Sequence, residues 1–491
     1  MAEHFDVVIV GAGLSGIGAG YHLQTRRPGK TYAILEGREA IGGTWDLFRY
    51  PGVRSDSDMF TLGYSFRPWT QAKAIADGPS ILAYIRETAR EYGIDQRIQF
   101  NTKVIRADWS STDARWTVET IQNGAARAFT CGFLFMCSGY YRYDQGYTPT
   151  FHGLDQFDGR VAHPQFWSDD IAYAGKRVVV IGSGATAVTL VPALAKAAAH
   201  VTMLQRSPTY VVSRPSQDAF ADRWRRRLPA KLAHGLVRWR NVLWGMYIFR
   251  TARRRPAAFK AFLLGLVRKH LGPDYDVATH FTPRYNPWDQ RLCLVPDGDL
   301  FEAIKSGAAS VVTDEIVRFT PHGITLRSGA ELPADLVVTA TGLDLVPVGG
   351  VALSVDGVGV EPGEALTYKG MMYSDVPNMA VSFGYTNASW TLKSDLTAAY
   401  VCRMLNYMDA QGFAQCTPRR RAGEAQEPFV DFSSGYFTRA RDRLPKQGAR
   451  PPWRLHQNYA RDVLALRYGA LTDEAMEFTR AAPVRETIDA A

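Results

Sequence analysis

Apolar residues along this chain gather into short, nearly unbroken runs at 5–10, 32–35, 131–138, 178–181, 201–205 and 336–340. A strand covered on both faces reads this way, whereas a strand with one wet face alternates apolar and polar positions. Stretches long enough for helices separate several of the runs, so the pattern predicts an α/β fold with parallel strands. Two runs end on glycine loops. Residues 5–10 lead into Gly11-Ala12-Gly13-Leu14-Ser15-Gly16, and 178–181 lead into Gly182-Ser183-Gly184-Ala185-Thr186-Ala187, followed by Val188 and Thr189. Glycines in such a loop permit the tight turn, let the backbone approach a pyrophosphate and let the helix sit close on the strand. The helix N-terminus adds free N–H groups and a positive dipole. Each loop therefore predicts a Rossmann-type unit that binds a dinucleotide.

The two units end their second strands on opposite charges. In the first, Glu36 lies twenty residues past Gly16, where a carboxylate accepts ribose hydroxyls and repels a 2′-phosphate. In the second, Arg206 and Ser207 take that place, and a guanidinium pairs with a 2′-phosphate through two charge-assisted hydrogen bonds. The reversal assigns FAD to the first unit and NADPH to the second, and implies electrons passed between them. Thr44, Trp45, Asp46 and Leu47 follow Glu36 closely, placed to offer backbone groups to an isoalloxazine ring. Residues 97–104 predict a strand that carries Val104 past the adenine.

A chain of 491 residues exceeds one core and implies two or three domains. We assign residues 1–141 and 376–491 to the FAD domain, and 151–214 and 291–375 to the NADP domain. Residues 215–290 form a helical insert without a glycine loop. That insert explains the net charge of +9. Residues 223–270 hold 14 Lys and Arg and no acid, while the other 43 basic residues are outnumbered by 48 acids. Two readings of the insert stand open: a basic amphipathic helix on an anionic membrane surface, or a packing helix whose arginines face water. No recognition motif accompanies the charge, so nucleic acid is not an expected partner. Cys131, Cys137, Cys293, Cys402 and Cys416 are scattered and form no CxxC pair. They read as reduced thiols of a cytoplasmic protein and exclude a disulfide reductase. No apolar run of 18 residues and no signal peptide occur, so a cytoplasmic location, with membrane association left open, is expected. No metal site is expected.

Residues 157–167, from Phe157 and Gly159 through His163 to Trp167, read FxGxxxHxxxW. This resembles the fingerprint of the Baeyer–Villiger monooxygenases, FAD-containing enzymes that insert oxygen beside a ketone. Segments 49–56, 286–293 and 384–390 resemble the branch that includes the ethionamide-activating monooxygenase. The resemblance implies that NADPH reduces FAD, reduced flavin captures O2, and a flavin C4a-peroxide attacks the ketone to give an ester or lactone. Sulfides and thioamides are further implied substrates. It also implies that Arg291 stabilises the peroxide, that Asp56 holds Arg291 and orients the nicotinamide ribose, and that Arg54, beside Ser55, grips NADP. A guanidinium suits that role because it is permanently charged and withholds its proton. The family more often carries Lys-Arg where this chain has Gln290-Arg291.

By the same resemblance, His163 and Trp167 couple domain rotation to cofactor position rather than touch substrate. Residues 378–384 read as a last strand, and Asn387 or Ser389 as the cap of a helix running through Met408. Residues 444–453 read as a lid over the substrate. The competing readings are an N- or S-oxygenating flavin monooxygenase, whose pattern usually ends in Phe or Tyr, and a non-catalytic redox-sensing or membrane-docked binding protein. Trp167 and Arg291 argue against the first of these, and against an uncoupled NADPH oxidase, while Arg291 and Asp56 argue against the second.

Overall fold

A computed structural model describes residues 2–481 of the chain. Met1 and residues 482–491, the end of the segment assigned as 376–491, lie outside the described residues. The first unit opens with β1 (Glu3–Val10), α1 (Leu14–Arg26) and β2 (Tyr32–Leu35), and β1 pairs in parallel with β2. These strands belong to a nine-stranded sheet. Val7 and Ile9 enter one core with Ile17 and Leu23 of α1, while Val8 and Val10 enter another with Trp109 and Trp116. Both faces of β1 are covered, which is why its sequence is an unbroken apolar run.

The second unit repeats the plan with β3 (Arg177–Ile181), α2 (Ala185–Leu194) and β4 (His200–Gln205). Its five-stranded sheet, parallel throughout, adds Ala309–Thr313, Leu336–Thr339 and Arg160–Ala162. Two segments cross between the units, Tyr141–Gly146 outward and Leu343–Leu345 on the return. They pair with each other antiparallel, Gly146 opposite Leu343 and Tyr141 opposite Leu345.

The return to the first unit comes earlier than residue 376. Ala352–Val355 lies parallel to Thr102–Ser110, and Val358–Val360 extends the same nine-stranded sheet. Residues from about 348 onward therefore belong to the first unit, because Val348, Val351 and Leu353 pack into the Trp109 core. Further on, only Met379–Val381 of 378–384 is a strand.

The insert is helical, as predicted, with Ala219–Arg225, α3 (Ala230–Arg254), Pro256–Leu271 and Val277–Phe281. Arg238 fastens α3 to the first unit. Its Nη1 donates to the carbonyls of Phe60, Thr61 and Gly63 at 2.8, 3.3 and 2.8 Å, and its Nη2 stands 3.7 Å from Asp395 on α4 (Trp390–Gln411). Neither expected cap serves α4. Ser389 is the N-cap residue, but its hydroxyl bonds Thr61 Oγ1 at 2.6 Å, and Asn387 donates instead to the Gln457 carbonyl at 3.0 Å. The expected lid at 444–453 is packed down. Lys446–Gln447 pairs with Glu427–Pro428, and Trp453 is buried edge-on against Tyr368. Among the described residues, no helix is long and apolar enough to cross a membrane. All five cysteines are buried and free, and burial pushes Cys131, Cys293, Cys402 and Cys416 up to about 12.

Candidate active site

A cavity of about 1510 Å³ is lined by both glycine loops, together with Arg291 and Asp56. Parallel sheets place such loops at the carboxyl ends of their strands, so β1 and β3 both deliver backbone to it. Gly11 and Gly182 turn with φ of +103° and +138°, a region that suits glycine. A Cβ on Gly182 would also meet the Ala340 carbonyl oxygen at 2.3 Å. α1 and α2 start from Gly13 and Gly184 with no side-chain cap, so their first-turn N–H groups remain available to a phosphate.

In the first loop, Gly11, Gly13 and Ser15 line the cavity. Gly16 does not. Its role is close packing, since a Cβ there would lie 1.9 Å from the Gly11 carbonyl oxygen. Glu36 lines the cavity from a buried position and accepts from the amides of Ala12 and Arg38 at 2.7 and 2.9 Å. Burial pushes its carboxyl up, against the pull of those two amides. Thr44, Trp45 and Val104 line the cavity too, but Asp46 and Leu47 do not. Asp46 is buried beneath, paired with Arg38 at 2.5 Å, Arg86 at 3.0 Å and Arg49 at 3.3 Å, and Leu47 packs against the core of the second unit.

In the second loop, Gly182, Ser183, Gly184, Ala185, Thr186 and Thr189 line the cavity. Ala187 and Val188 were expected there and are absent from it. They occupy the face of α2 that packs on the sheet, one step round the helix from Thr186 and Thr189. Arg206 and Ser207 border the cavity, and Arg206 is exposed with no ion-pair partner among the described residues. Asp314 closes the neighbouring strand, but its carboxylate accepts from the amides of Glu315 and Ser328.

Arg291 meets Asp56 through two parallel hydrogen bonds, Nε to Oδ2 at 2.7 Å and Nη2 to Oδ1 at 3.0 Å. The Asp56 carboxylate raises Arg291 well above its ordinary value despite burial. Burial works to raise Asp56, and the Arg291 charge outweighs it, holding the carboxyl below its usual 3.8. Arg54 and Ser55 line the cavity, with Arg54 paired to Asp299 at 2.5 and 3.3 Å. Gln290 lies beside Arg291 and points its amide at the Ser433 carbonyl at 3.4 Å, a contact in which a lysine ammonium would have placed a charge. Asp289 and Asp431 both pair with Arg253 of α3, at 2.5 and 3.2 Å.

Of the aromatic wall, the resemblance pointed to the 386–390 region that holds Trp390, and sequence reasoning missed Tyr140 and Tyr436. Tyr140, Trp390 and Tyr436 line the cavity, Trp390 stacks on Tyr140 at 5.2 Å, and its Nε1 donates to Ser15 Oγ at 2.8 Å. No spacing rule marks these positions, although Trp390 ends the segment 384–390. His163 and Trp167 stay out of the cavity. The His163 ring packs on Gly146, where a Cβ would lie 2.2 Å away, and Trp167 meets Tyr173 at 6.2 Å. Residues 444–453 do not border the cavity either, and Gly435–Ala440 supplies that wall instead.

A family model described as NAD(P)-binding Rossmann-like domain matches residues 9–76, and one described as flavin-binding monooxygenase-like matches residues 73–237. The FAD-containing monooxygenase EthA of Mycobacterium tuberculosis is 56% identical over 487 residues, spanning 99% of this chain and 100% of the relative. The chain belongs to the FAD-containing monooxygenases. A second FAD-containing monooxygenase, EthA of Mycolicibacterium smegmatis, is 55% identical over 98% of each chain. A solved structure of an oxidized steroid monooxygenase bound to NADP shares the fold at a TM-score of 0.76. The two are 23% identical over 97% of this chain and 100% of that one.

For an FAD-containing monooxygenase, the 1.9 Å approach at Gly16 sets an expected result. Gly16→Ala pushes α1 off the loop, and the variant is expected to bind FAD at least about tenfold more weakly, about 1.4 kcal/mol, and to lose flavin on dilution or dialysis that the parent keeps. Flavin absorbance per protein checks this, and full occupancy would refute the packing role.

Proposed function

We propose that this enzyme uses NADPH and O2 to insert one oxygen atom beside a ketone carbonyl, giving an ester or lactone. The same site oxidises sulfur in suitable sulfides and thioamides. The observation that carries this reading is the bidentate Arg291–Asp56 pair in one cavity with both glycine loops. The first loop, the N-terminus of α1 and Glu36 would hold FAD, the free first-turn N–H groups suiting its pyrophosphate and the carboxylate its ribose hydroxyls. The second loop, with Arg206 and Ser207, would hold NADPH, the guanidinium suiting its 2′-phosphate. When bound, FAD takes a hydride from NADPH and activates O2.

The protein's own part is electrostatic and steric. Arg291 stabilises negative charge that develops on the transferring oxygen, and it does so without reorganising, because Asp56 fixes the plane of the guanidinium. Asp56 also orients the nicotinamide ribose, and Arg54 and Ser55 flank it. Tyr140, Trp390 and Tyr436 keep water from the reacting oxygen. Per turnover, one oxygen atom enters the ketone and the other leaves as water, with NADPH and a proton supplying the two electrons and two hydrogens. Use of NADPH and five buried, scattered cysteines support a cytoplasmic setting for the reaction.

A panel of ketones and sulfides tests the proposal, with NADPH consumption and oxygenated product measured together. Ketone-dependent consumption matched by ester or lactone supports it. Consumption matched by hydrogen peroxide alone, or oxygenation confined to amines, would overturn it. The pH profile adds a further expectation. Asp56 is lowered and Arg291 raised, so the charge of the pair persists above 3.8 and is lost only as pH falls through the depressed carboxyl value. Product per NADPH is therefore expected to hold steady from about pH 5 to about pH 9. A collapse inside that window would put a different titrating group in control.

A further inference from the structure

We propose that the outer face of α3 docks the enzyme on an anionic membrane surface. Leu232, Leu236, Trp239, Leu243 and Tyr247 recur at helical spacing along α3 and are 63, 40, 42, 55 and 61% exposed. Trp244, 53% exposed, stacks on Tyr247. The opposite face carries Val237, Arg238 and Val242, all buried, so α3 is seated on the protein and its apolar stripe is turned outward. A purely packing helix does not account for this, because packing would bury the stripe. The apolar surface also continues past α3. Trp239 meets Tyr459 at 5.4 Å, and the segment Leu464–Tyr468 after Tyr459 leaves Leu464 and Tyr468 65 and 74% exposed. A patch of this extent on a single protein marks an interaction surface.

Charge selects the occupant. Arg226, Arg227 and Lys231 are exposed at the start of the stripe, and Arg250, Arg254 and Arg255 at its end. None of the six has an ion-pair partner among the described residues, and the sequence from 223 to 270 contains no acid. Arg250 and Arg254 continue the same helical line as Leu243 and Tyr247. An apolar centre holding Trp and Tyr, framed by unpaired cations at both ends, complements acyl chains below anionic headgroups. A second copy of the same face would set these cations against one another. A nucleic acid would leave the leucines without an apolar partner.

This proposal is independent of the reaction at Arg291. Its test is sedimentation of the FAD-loaded enzyme with vesicles of phosphatidylcholine, alone or mixed with phosphatidylglycerol. Binding to the anionic vesicles is expected at low salt, falling about tenfold or more by about 0.5 M salt, where screening shortens to a few ångströms. The triple variant Leu232→Ser, Leu243→Ser, Tyr247→Ser and the double variant Arg250→Gln, Arg254→Gln are each expected to bind about tenfold less. Both should keep the parent's FAD content and melting temperature, because no side chain they change is buried in the fold. Brominated acyl chains should quench tryptophan fluorescence in the parent. Three outcomes would overturn the proposal: no binding at low salt, equal binding by the variants, or a dimer that the triple variant splits while the vesicles stay bare.

Discussion

Arg291→Ala is expected to keep its FAD and to make almost no ester. The guanidinium bonds Asp56, whereas the first glycine loop and Glu36, proposed to hold the flavin, bond each other and not Arg291. Flavin occupancy should therefore hold. Removing one preorganised donor from a developing anion costs about 2.7–4 kcal/mol, roughly a hundredfold to a thousandfold in rate. NADPH consumption should continue, with its electrons released as hydrogen peroxide in place of ester. Alanine also leaves Asp56 without its partner, so Arg291→Lys is the companion variant. Lysine keeps a charge beside Asp56 but cannot reproduce the fork or withhold its proton, and it is expected to give Asp56 a partner without restoring product. Product chromatography beside peroxide and NADPH measurements decides the matter. Normal ester yield from either variant would place the stabilising charge elsewhere.

The second large effect is expected at Arg206, in the choice of nicotinamide. The parent should prefer NADPH to NADH, and Arg206→Ala should lose most of that preference. A charge-assisted contact is worth about 1.5–3 kcal/mol, or tenfold to somewhat over a hundredfold. Because Arg206 is exposed, solvent screening pulls the expectation toward the tenfold end. The Ser183 hydroxyl, which donates to the Ser207 carbonyl at 2.9 Å, holds the loop in place without Arg206, so binding of the rest of the cofactor should persist. The measurement is kcat/KM for NADPH against NADH in parent and variant. Equal use of the two cofactors by the parent would reverse the assignment of the two units.

The nucleotide units were legible in the sequence because their constraints are local. A strand buried on both faces must be apolar throughout, a loop beside a phosphate must hold glycine, and the next strand must end on the charge the ribose demands. The Arg291–Asp56 pair was legible only through resemblance, since 235 residues separate its partners and no periodicity connects them. Other expectations failed where local sequence underdetermines the neighbour. Ala187 and Val188 belong to the loop in sequence but to the core in space, because a helix turns alternate residues away from its first turn. Asp46 looked like a ligand contact and is instead buried among three arginines from separate stretches of the first unit. Ala352–Val355 and Val358–Val360 are too short to reveal which sheet they join. The exposed stripe on α3 was half visible: its basic frame could be read from the chain, but which apolar residues stay outside depends on Arg238 reaching Phe60, Thr61 and Gly63.

The paired crossings between the two units have a mechanical consequence. Two separate tethers would let the units drift and tilt in any direction, but Tyr141–Gly146 and Leu343–Leu345 are hydrogen-bonded side by side. They behave as one torsion bar. Twisting it strains its hydrogen bonds less than pulling the units apart, and Leu47 in the core of the second unit and the Arg54–Asp299 pair add further links beside it. The imidazole of His163 rests against that bar at Gly146, where a Cβ would lie 2.2 Å away, so any side chain there would press the ring off the crossing.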